Sequence, residues 1–141
     1  QNAGCPAAGL VSDGRYQPFE RGLMIYVSAN GLNRVYGMTY DGSRYLGYIN
    51  GWDGSTLDTT APPSGRFIPQ EMFNWVYYKS LAPVGTWNSA IGWATSSIVN
   101  QQRTIQWENN IGGTNPFYID APDGAVYRFS GGDSGTWQRL R

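Results

Sequence analysis

Short apolar and aromatic runs separated by turn-forming residues dominate the pattern of hydrophobic and polar positions along this chain. Residues 23–27 (LMIYV) are β-prone, and residues 34–40 return after an Asn-Gly pair at positions 30 and 31, which is typical of a hairpin turn. Residues 44–49 predict a third strand. Near the other end, residues 117–119 and 126–129 predict a second hairpin around a turn at 121–124, and Trp137 begins a last short strand.

The middle of the chain is less regular. Residues 50–65 contain several Gly, Pro, Ser and Asp residues and predict a long exposed loop, whereas the aromatic run at 73–78 predicts another strand. Residues 87–99 are the best place for a short helix, because no segment shows sustained helical periodicity. The pattern therefore predicts an all-β fold with at most one short helix.

Parts of the chain resemble one another. An ungapped comparison of residues 4–20 with residues 92–108 aligns Gly4 with Gly92, Val11 with Val99, Arg15 with Arg103 and Glu20 with Glu108, and residues 66–71 repeat the spacing of Arg and Glu. We expect one domain over residues 1–141, with repeat copies near 4–45, 66–78 and 92–129. One hairpin cannot bury its aromatic face alone, so we expect about three β-hairpin repeats packed pseudo-symmetrically as a small barrel, a prism or a propeller-like fold.

Two sets of motifs resemble sequences of bacterial surface proteins. Residues 4–7 (GCPA), 19–26 (FERGLMIY) and 35–37 (VYG) are similar to the LGFP-type repeat of cell-envelope proteins. Residues 91–95 (IGWAT) are similar to a motif of uncharacterised bacterial secreted domains that also carry Phe-Glu-x-Gly-x-Met. The resemblance is patchy over residues 46–65, and Asn109-Asn110 replaces Arg21-Gly22 in the last copy. It implies attachment to the cell envelope and no catalytic residues.

The composition favours an exported protein that associates with other proteins. Charged residues are 14% of the chain and the net charge is zero, so the basic excess expected of a nucleic-acid-binding protein is absent. A neutral surface lacks the repulsion that keeps molecules apart, and we expect partners that are further copies of the chain or other envelope proteins. The first residue, Gln1, suggests that a signal peptide has been removed, and no apolar run could span a bilayer. The single Cys5 predicts a small buried side chain; an intermolecular disulfide and a lipid attachment point are its alternatives.

The residue types exclude several kinds of active site. The chain has no His, which excludes Ser-His-Asp triads and His-containing zinc sites, and its single Cys excludes cysteine-rich metal sites. Residues 131–135 (GGDSG) are interpreted as a turn and not as the surroundings of a nucleophilic serine. Most Asp residues neighbour Gly without the spacing of an EF-hand, so we expect no metal ion and no cofactor.

The three glutamates are the remaining candidates for catalysis. Glu20, Glu71 and Glu108 each follow an arginine by five positions, at Arg15, Arg66 and Arg103. Because the positions are equivalent in the repeat, we interpret these arginines and glutamates as structural repeat pairs, in which each carboxylate pairs with an arginine or accepts backbone N–H bonds at a bend. The alternative is a glycan-active hydrolase, which would need two carboxylates as acid and as base or nucleophile.

Aromatic residues near loops are candidates for binding. Trp52, Trp87, Trp93 and Trp137 lie near predicted loops or element ends and could stack on sugars or anchor an interface, with Trp52 expected to be exposed. We therefore expect a non-enzymatic extracellular or cell-surface structural or interaction module that self-assembles into an array or filament through an exposed strand edge. The alternative is a carbohydrate-binding module for cell-wall or exopolysaccharide glycans.

Overall fold

A computed structural model describes residues 9–29, 31–54, 61–78, 80–81, 85–108, 114–120, 122 and 124–140. Within these residues twelve strands and two short helices follow in the order β1 (Leu10–Phe19), β2 (Gly22–Ala29), β3 (Leu32–Thr39), β4 (Tyr45–Ile49), α1 (Met72–Tyr77), β5 (Ser80–Leu81), β6 (Gly85–Thr86), α2 (Trp87–Ile91), β7 (Val99–Asn100), β8 (Arg103–Trp107), β9 (Phe117–Asp120), β10 (Val126–Phe129), β11 (Ser134–Gly135) and β12 (Trp137–Arg139).

Ten strands form one antiparallel sheet, in which the order is β11-β4-β3-β2-β1-β8-β9-β10-β12 and β7 also pairs with β1. Strands β5 and β6 form a separate two-stranded sheet. The long strand β1 joins the two halves of the large sheet, because its residues 13–19 pair with β2 whereas its residues 10–12 pair with β8. Of the predicted all-β fold, the predominance of β-strands is thereby confirmed.

The two ends of the large sheet are held by one short piece of chain, residues 134–139, here called the seam segment. Its β11 pairs with β4 and its β12 pairs with β10, and only Thr136 separates the two strands. Because β11 and β12 follow one another along the chain and do not form a ladder side by side, the sheet formed by the described residues does not close into a barrel. The barrel prediction is therefore wrong.

The sheet half formed by β1–β4 is buried on both faces. Successive side chains of a strand point to opposite faces. Leu23 and Ile25 of β2 therefore contribute to one core with β8–β10, whereas Met24 contributes to a second core. Phe117 and Phe129 stack in the first core, with ring centroids 4.8 Å apart. The second core contains buried residues of the two helices, Met72, Phe73, Val76, Tyr77, Trp87 and Ile91.

The structure corrects the expectations for the middle of the chain. Residues 73–78, predicted as a strand, form most of α1, because the apolar side chains at 72, 73, 76 and 77 share one helical face against the sheet. Two helices therefore replace the single one expected, and the copy at 66–78 is not a hairpin. The helix expected within residues 87–99 covers only α2 (Trp87–Ile91). Thr86 is its N-cap residue and forms a capping box with Ser89.

The predicted hairpins and the predicted loop are also visible. Strands β2 and β3, β4, and the pair β9 and β10 occupy the predicted stretches, and Trp137 begins β12 as expected. In the predicted loop, residues 50–54 and 61–65 are irregular and mostly exposed, and residues 55–60 lie outside the described part of the chain. In the described part, no helix is long and apolar enough to cross a bilayer.

Candidate functional site

Each glutamate forms an ion pair, but with an arginine other than the one five positions before it. Glu20 binds Arg66 with a distance of 2.8 Å between Oε2 and Nε, and Glu71 binds Arg15 with 3.2 Å between Oε1 and Nη1. Glu108 binds Arg128, with 3.0 Å between Oε2 and Nε. Arg15 and Arg103 lie in strands that end one residue before Glu20 and Glu108, and five residues along a strand span roughly 16 Å, which separates Arg15 from Glu20 and Arg103 from Glu108.

Two of the three ion pairs join residues of different predicted copies, whereas Glu108 and Arg128 lie in the same one. Arg15 and Arg66 exchange their expected partners, since each binds the glutamate of the other copy. Arg103 is buried, and its Nη1 donates to the carbonyl of Asp120 while its Nη2 donates to Gln101. Each glutamate is thus paired with an arginine, as expected, but in no case is the partner the arginine five positions before it, so Arg15/Glu20, Arg66/Glu71 and Arg103/Glu108 are not contacts.

Glu20 and Glu108 are both held in their ionised form. The backbone N–H of Trp93 donates to Oε1 of Glu20 at 3.0 Å, and this bond, followed by the bond from Arg66, lowers the pKa of Glu20. The hydroxyl of Tyr118 donates to Glu108 at 2.7 Å and lowers its pKa together with Arg128. Carboxyl groups with a lowered pKa are poor general acids, because a general acid needs a raised pKa to be protonated at neutral pH.

A surface groove of about 550 Å³ lies where the β3–β4 turn meets β10 and β12. We call it the Tyr40 groove; its lining residues are Tyr40, Asp41, Gly42, Tyr127, Trp137, Gln138 and Arg139. The side chain of Tyr40 is 48% exposed, whereas Tyr127 and Trp137 are 6% and 9% exposed. The rings of Tyr127 and Trp137 meet edge to face, with centroids 4.9 Å apart. The groove therefore has one open aromatic ring beside two nearly buried ones.

The walls of the Tyr40 groove are fixed by hydrogen bonds. The indole N–H of Trp137 donates to the carbonyl of Thr39 at 2.7 Å, and its backbone N–H donates to the carbonyl of Gly42 at 3.2 Å. Gly42 has φ of 78°, and a Cβ there would lie 2.8 Å from the carbonyl oxygen of Trp137, so only glycine fits. The backbone N–H of Tyr40 donates to Arg21 at 2.9 Å. The turn that carries Tyr40 is thus hydrogen-bonded both to the seam segment and to the turn between β1 and β2, which contains Arg21.

The polar groups of the Tyr40 groove include both signs of charge. Asp41 accepts at Oδ1 from the backbone and the hydroxyl of Ser43 and from the hydroxyl of Thr39. These bonds, first that from the Ser43 hydroxyl, lower the pKa of Asp41. Burial and then the neighbouring Tyr127 raise the pKa of the Tyr40 hydroxyl. At neutral pH, Asp41 and Arg139 therefore offset one another, and Gln138 adds an uncharged amide.

A second groove, of about 440 Å³, lies beside β1, β2 and β7; its lining residues are Gly14, Arg15, Tyr26, Ser28, Asn100, Gln101 and Gln102. We call it the Arg15 groove. Arg15 Nε donates to Asn100 at 3.1 Å, and the guanidinium lies 5.7 Å from the centre of the Tyr26 ring. Glu71, its ion-pair partner, has φ of 52°, the only positive φ of a non-glycine residue in the described part of the chain. Three amides and a paired arginine make this groove polar.

The four candidate tryptophans have different surroundings. Trp87 is fully buried, and its indole N–H donates to Tyr48 at 3.0 Å, so the expectation that it is available for binding is wrong. Trp52 is half-buried against the second core and not the exposed residue expected. Trp93 is half-buried beside Tyr77, with ring centroids 5.8 Å apart. Of the four, only Trp137 lines a groove described here.

Sequence reasoning missed most of the Tyr40 groove. Tyr40, Gln138 and Arg139 carry no motif, although a tyrosine directly before the Asp41-Gly42 turn is a signal that an aromatic side chain could be exposed there. Cys5 lies outside the described residues. Among the described residues, no group of three or more His, Cys, Asp and Glu side chains could hold a metal ion.

Comparisons with protein-family models, with curated proteins and with solved structures found no match to this chain.

Proposed function

We propose that this chain is a non-enzymatic interaction module of an extracellular or cell-surface protein, and that the Tyr40 groove is its binding surface. The observation that carries the proposal is the half-exposed ring of Tyr40, held by a hydrogen-bonded turn above Tyr127 and Trp137. Exposed aromatic anchors on a rigid support are the residues that contribute most to binding in protein interfaces. The low share of charged residues and the zero net charge support the extracellular location.

The surroundings of the glutamates support binding over hydrolysis. A glycosidase acid must be protonated at the working pH, whereas Glu20 and Glu108 are stabilised as carboxylates by hydrogen bonds and arginines. The variants Glu20→Gln and Glu108→Gln test this point. If either abolished a hydrolytic activity of the purified protein on glycan substrates, the non-enzymatic proposal would be wrong.

The internal repeat is part of the proposal as a two-copy arrangement. Residues 10–19 of the first copy correspond to residues 98–107 of the last, and these equivalent stretches pair antiparallel, with Val11 opposite Thr104 and Tyr16 opposite Val99. Such pairing of equivalent strands is what a pseudo-two-fold relation produces. The duplicated hairpin would thus have supplied both halves of the large sheet.

Self-assembly is part of the proposal, and the strands at the two ends of the large sheet indicate which surface copies of the chain would use. The large sheet ends in β11 and β12, which have two and three residues. Strands this short offer few free backbone groups, and short edge strands are a usual protection against edge-to-edge pairing. We therefore place any contact between copies on side-chain surfaces such as the Tyr40 groove, and not on a strand edge.

Sedimentation velocity at rising protein concentration tests the binding surface. We expect association of the wild type to be lost in Tyr40→Ala and kept in Tyr78→Ala. Tyr78 is a matched control because its side chain is 43% exposed and lies outside both grooves. If Tyr40→Ala changed neither this association nor the binding of any glycan, the Tyr40 groove would not be the binding surface.

A further inference from the structure

We infer that the Tyr40 groove binds a neutral saccharide, with one sugar ring lying against the side chain of Tyr40. This inference rests on the proposed function, because it names the ligand class of the same surface. A pyranose has a face of C–H groups and a rim of hydroxyl groups. The groove offers a matching arrangement, in which one open aromatic ring is surrounded by polar side chains.

The aromatic part of the groove suits a single sugar ring. Tyr40 is 48% exposed, so a large part of its side chain is available for C–H contacts, whereas Tyr127 and Trp137 are too deeply buried to take a second ring. A volume of about 550 Å³ is within the range of pockets that bind small ligands, roughly 300–1,000 Å³. The geometry therefore points to one stacked ring with its neighbours extending into solvent.

The polar part of the groove suits hydroxyl groups. Oδ1 of Asp41 accepts three hydrogen bonds, and a carboxylate has a second oxygen that can accept from a sugar hydroxyl. The Gln138 amide can both donate and accept, and Arg139 adds donors. A hydroxyl is itself both donor and acceptor, so this mixed set matches a sugar rim better than it matches an apolar or purely anionic ligand.

The charge of the groove argues for a neutral ligand. Asp41 and Arg139 sum to zero, so the groove has no net charge that would attract an acidic sugar such as a uronate or a sulfated sugar. The Arg15 groove is the competing location, since its amides also suit hydroxyl groups. There, however, Arg15 lies over the only aromatic ring of the lining, Tyr26, and so competes with a sugar for its face.

The rigidity of the groove supports the inference. Sugars bind proteins through few contacts, so a site that must first become ordered loses much of its affinity. The turn around Tyr40 is held by Arg21 and by two bonds from Trp137 before any ligand arrives. Only the Tyr40 side chain and the polar rim then need to adjust.

Affinity electrophoresis in native gels tests the inference. The probes are the neutral polysaccharides laminarin, galactomannan and xyloglucan and the acidic polysaccharides polygalacturonate and alginate, each cast into the gel. We expect at least one neutral gel to retard the wild type, and Tyr40→Ala to weaken this binding at least about tenfold. Tyr40→Phe, which keeps the ring, and Tyr78→Ala, the matched exposed tyrosine, should both retain binding.

The outcomes separate this inference from the proposed function. Retardation by acidic gels alone, or by no gel, overturns the saccharide inference, and so does retardation that Tyr40→Ala leaves unchanged. If no gel retards the protein but Tyr40→Ala still abolishes its association in sedimentation velocity, the groove is an interaction surface for another ligand. A near-ultraviolet circular dichroism spectrum like that of the wild type shows that Tyr40→Ala is folded.

Discussion

Replacing Gly37 by alanine tests the packing between the sheet and the helical layer. Gly37 lies in β3 on the face that meets α2, and a Cβ there would lie 2.6 Å from Cη2 and 2.7 Å from Cζ2 of Trp87. Trp87 cannot easily move, because its side chain is fully buried and its indole N–H binds Tyr48. Overpacking of a core costs about 1–3 kcal/mol, and loss of a glycine from the unfolded chain offsets about 0.4–1 kcal/mol. We therefore expect Gly37→Ala to destabilise the protein by about 1–2 kcal/mol.

The measurement is a double-mutant cycle with Trp87→Phe, followed by urea unfolding. Trp87→Phe alone should cost about 1–3 kcal/mol, through lost packing and the lost bond to Tyr48. Because the smaller ring makes room for the new methyl group, the double variant should be more stable than the sum of the single effects by about 1 kcal/mol or more. Additive effects, within about 0.5 kcal/mol, would refute the contact between β3 and α2 on which this reasoning depends.

Two further predictions concern pH and one concerns a buried hydrogen bond. Because the folded-state pKa of Glu20 is lowered, its ionised carboxylate stabilises the fold above its unfolded pKa, and this stability is lost as the pH falls through the folded pKa. Glu20→Gln should therefore reduce the fall in melting temperature between pH 6 and pH 3. Burial raises the pKa of Tyr77 to about 12, so the stability that its neutral hydroxyl contributes is complete below about pH 10 and is lost as the pH rises towards 12. Tyr77→Phe should remove one late step from the tyrosinate absorbance titration. The Tyr77 hydroxyl donates to the carbonyl of Gly92 at 2.7 Å, and Tyr77→Phe should cost about 1–2 kcal/mol in urea unfolding, with Tyr40→Phe, at the half-exposed Tyr40, as the control that changes little.

The hairpins could be predicted because their signals are local. Residues 23–27 and 34–40 alternate around an Asn-Gly pair, and the register that the structure gives, Ile25 opposite Tyr36, follows from a turn at that point. Strand β1 was not predicted, since Asp13, Gly14 and Pro18 interrupt its pattern. It forms because two strands pair with it: β2, which follows it directly, and β8, which is distant in sequence.

Helix α1 shows where local propensity fails. Aromatic and β-branched residues at 73–78 favour a strand, but burial against β3 selects the helix, and no side chain caps its start at Glu71.

The candidate site was predicted only through Trp137. Tyr40 and Arg139 are 99 positions apart, and only the pairing of β12 with β10 and the bonds to the β3–β4 turn bring them into one groove.

The seam segment also determines when the fold can be completed during synthesis. Residues 134–139 emerge from the ribosome after every other strand described here, yet they hold β4, which was made about 90 residues earlier, and β10. Until they emerge, both ends of the large sheet expose unpaired backbone groups, and contacts this distant in sequence slow folding. The nascent chain therefore passes through a stage with two open sheet edges, and a chaperone that covers them would act in the interval before Trp137 docks.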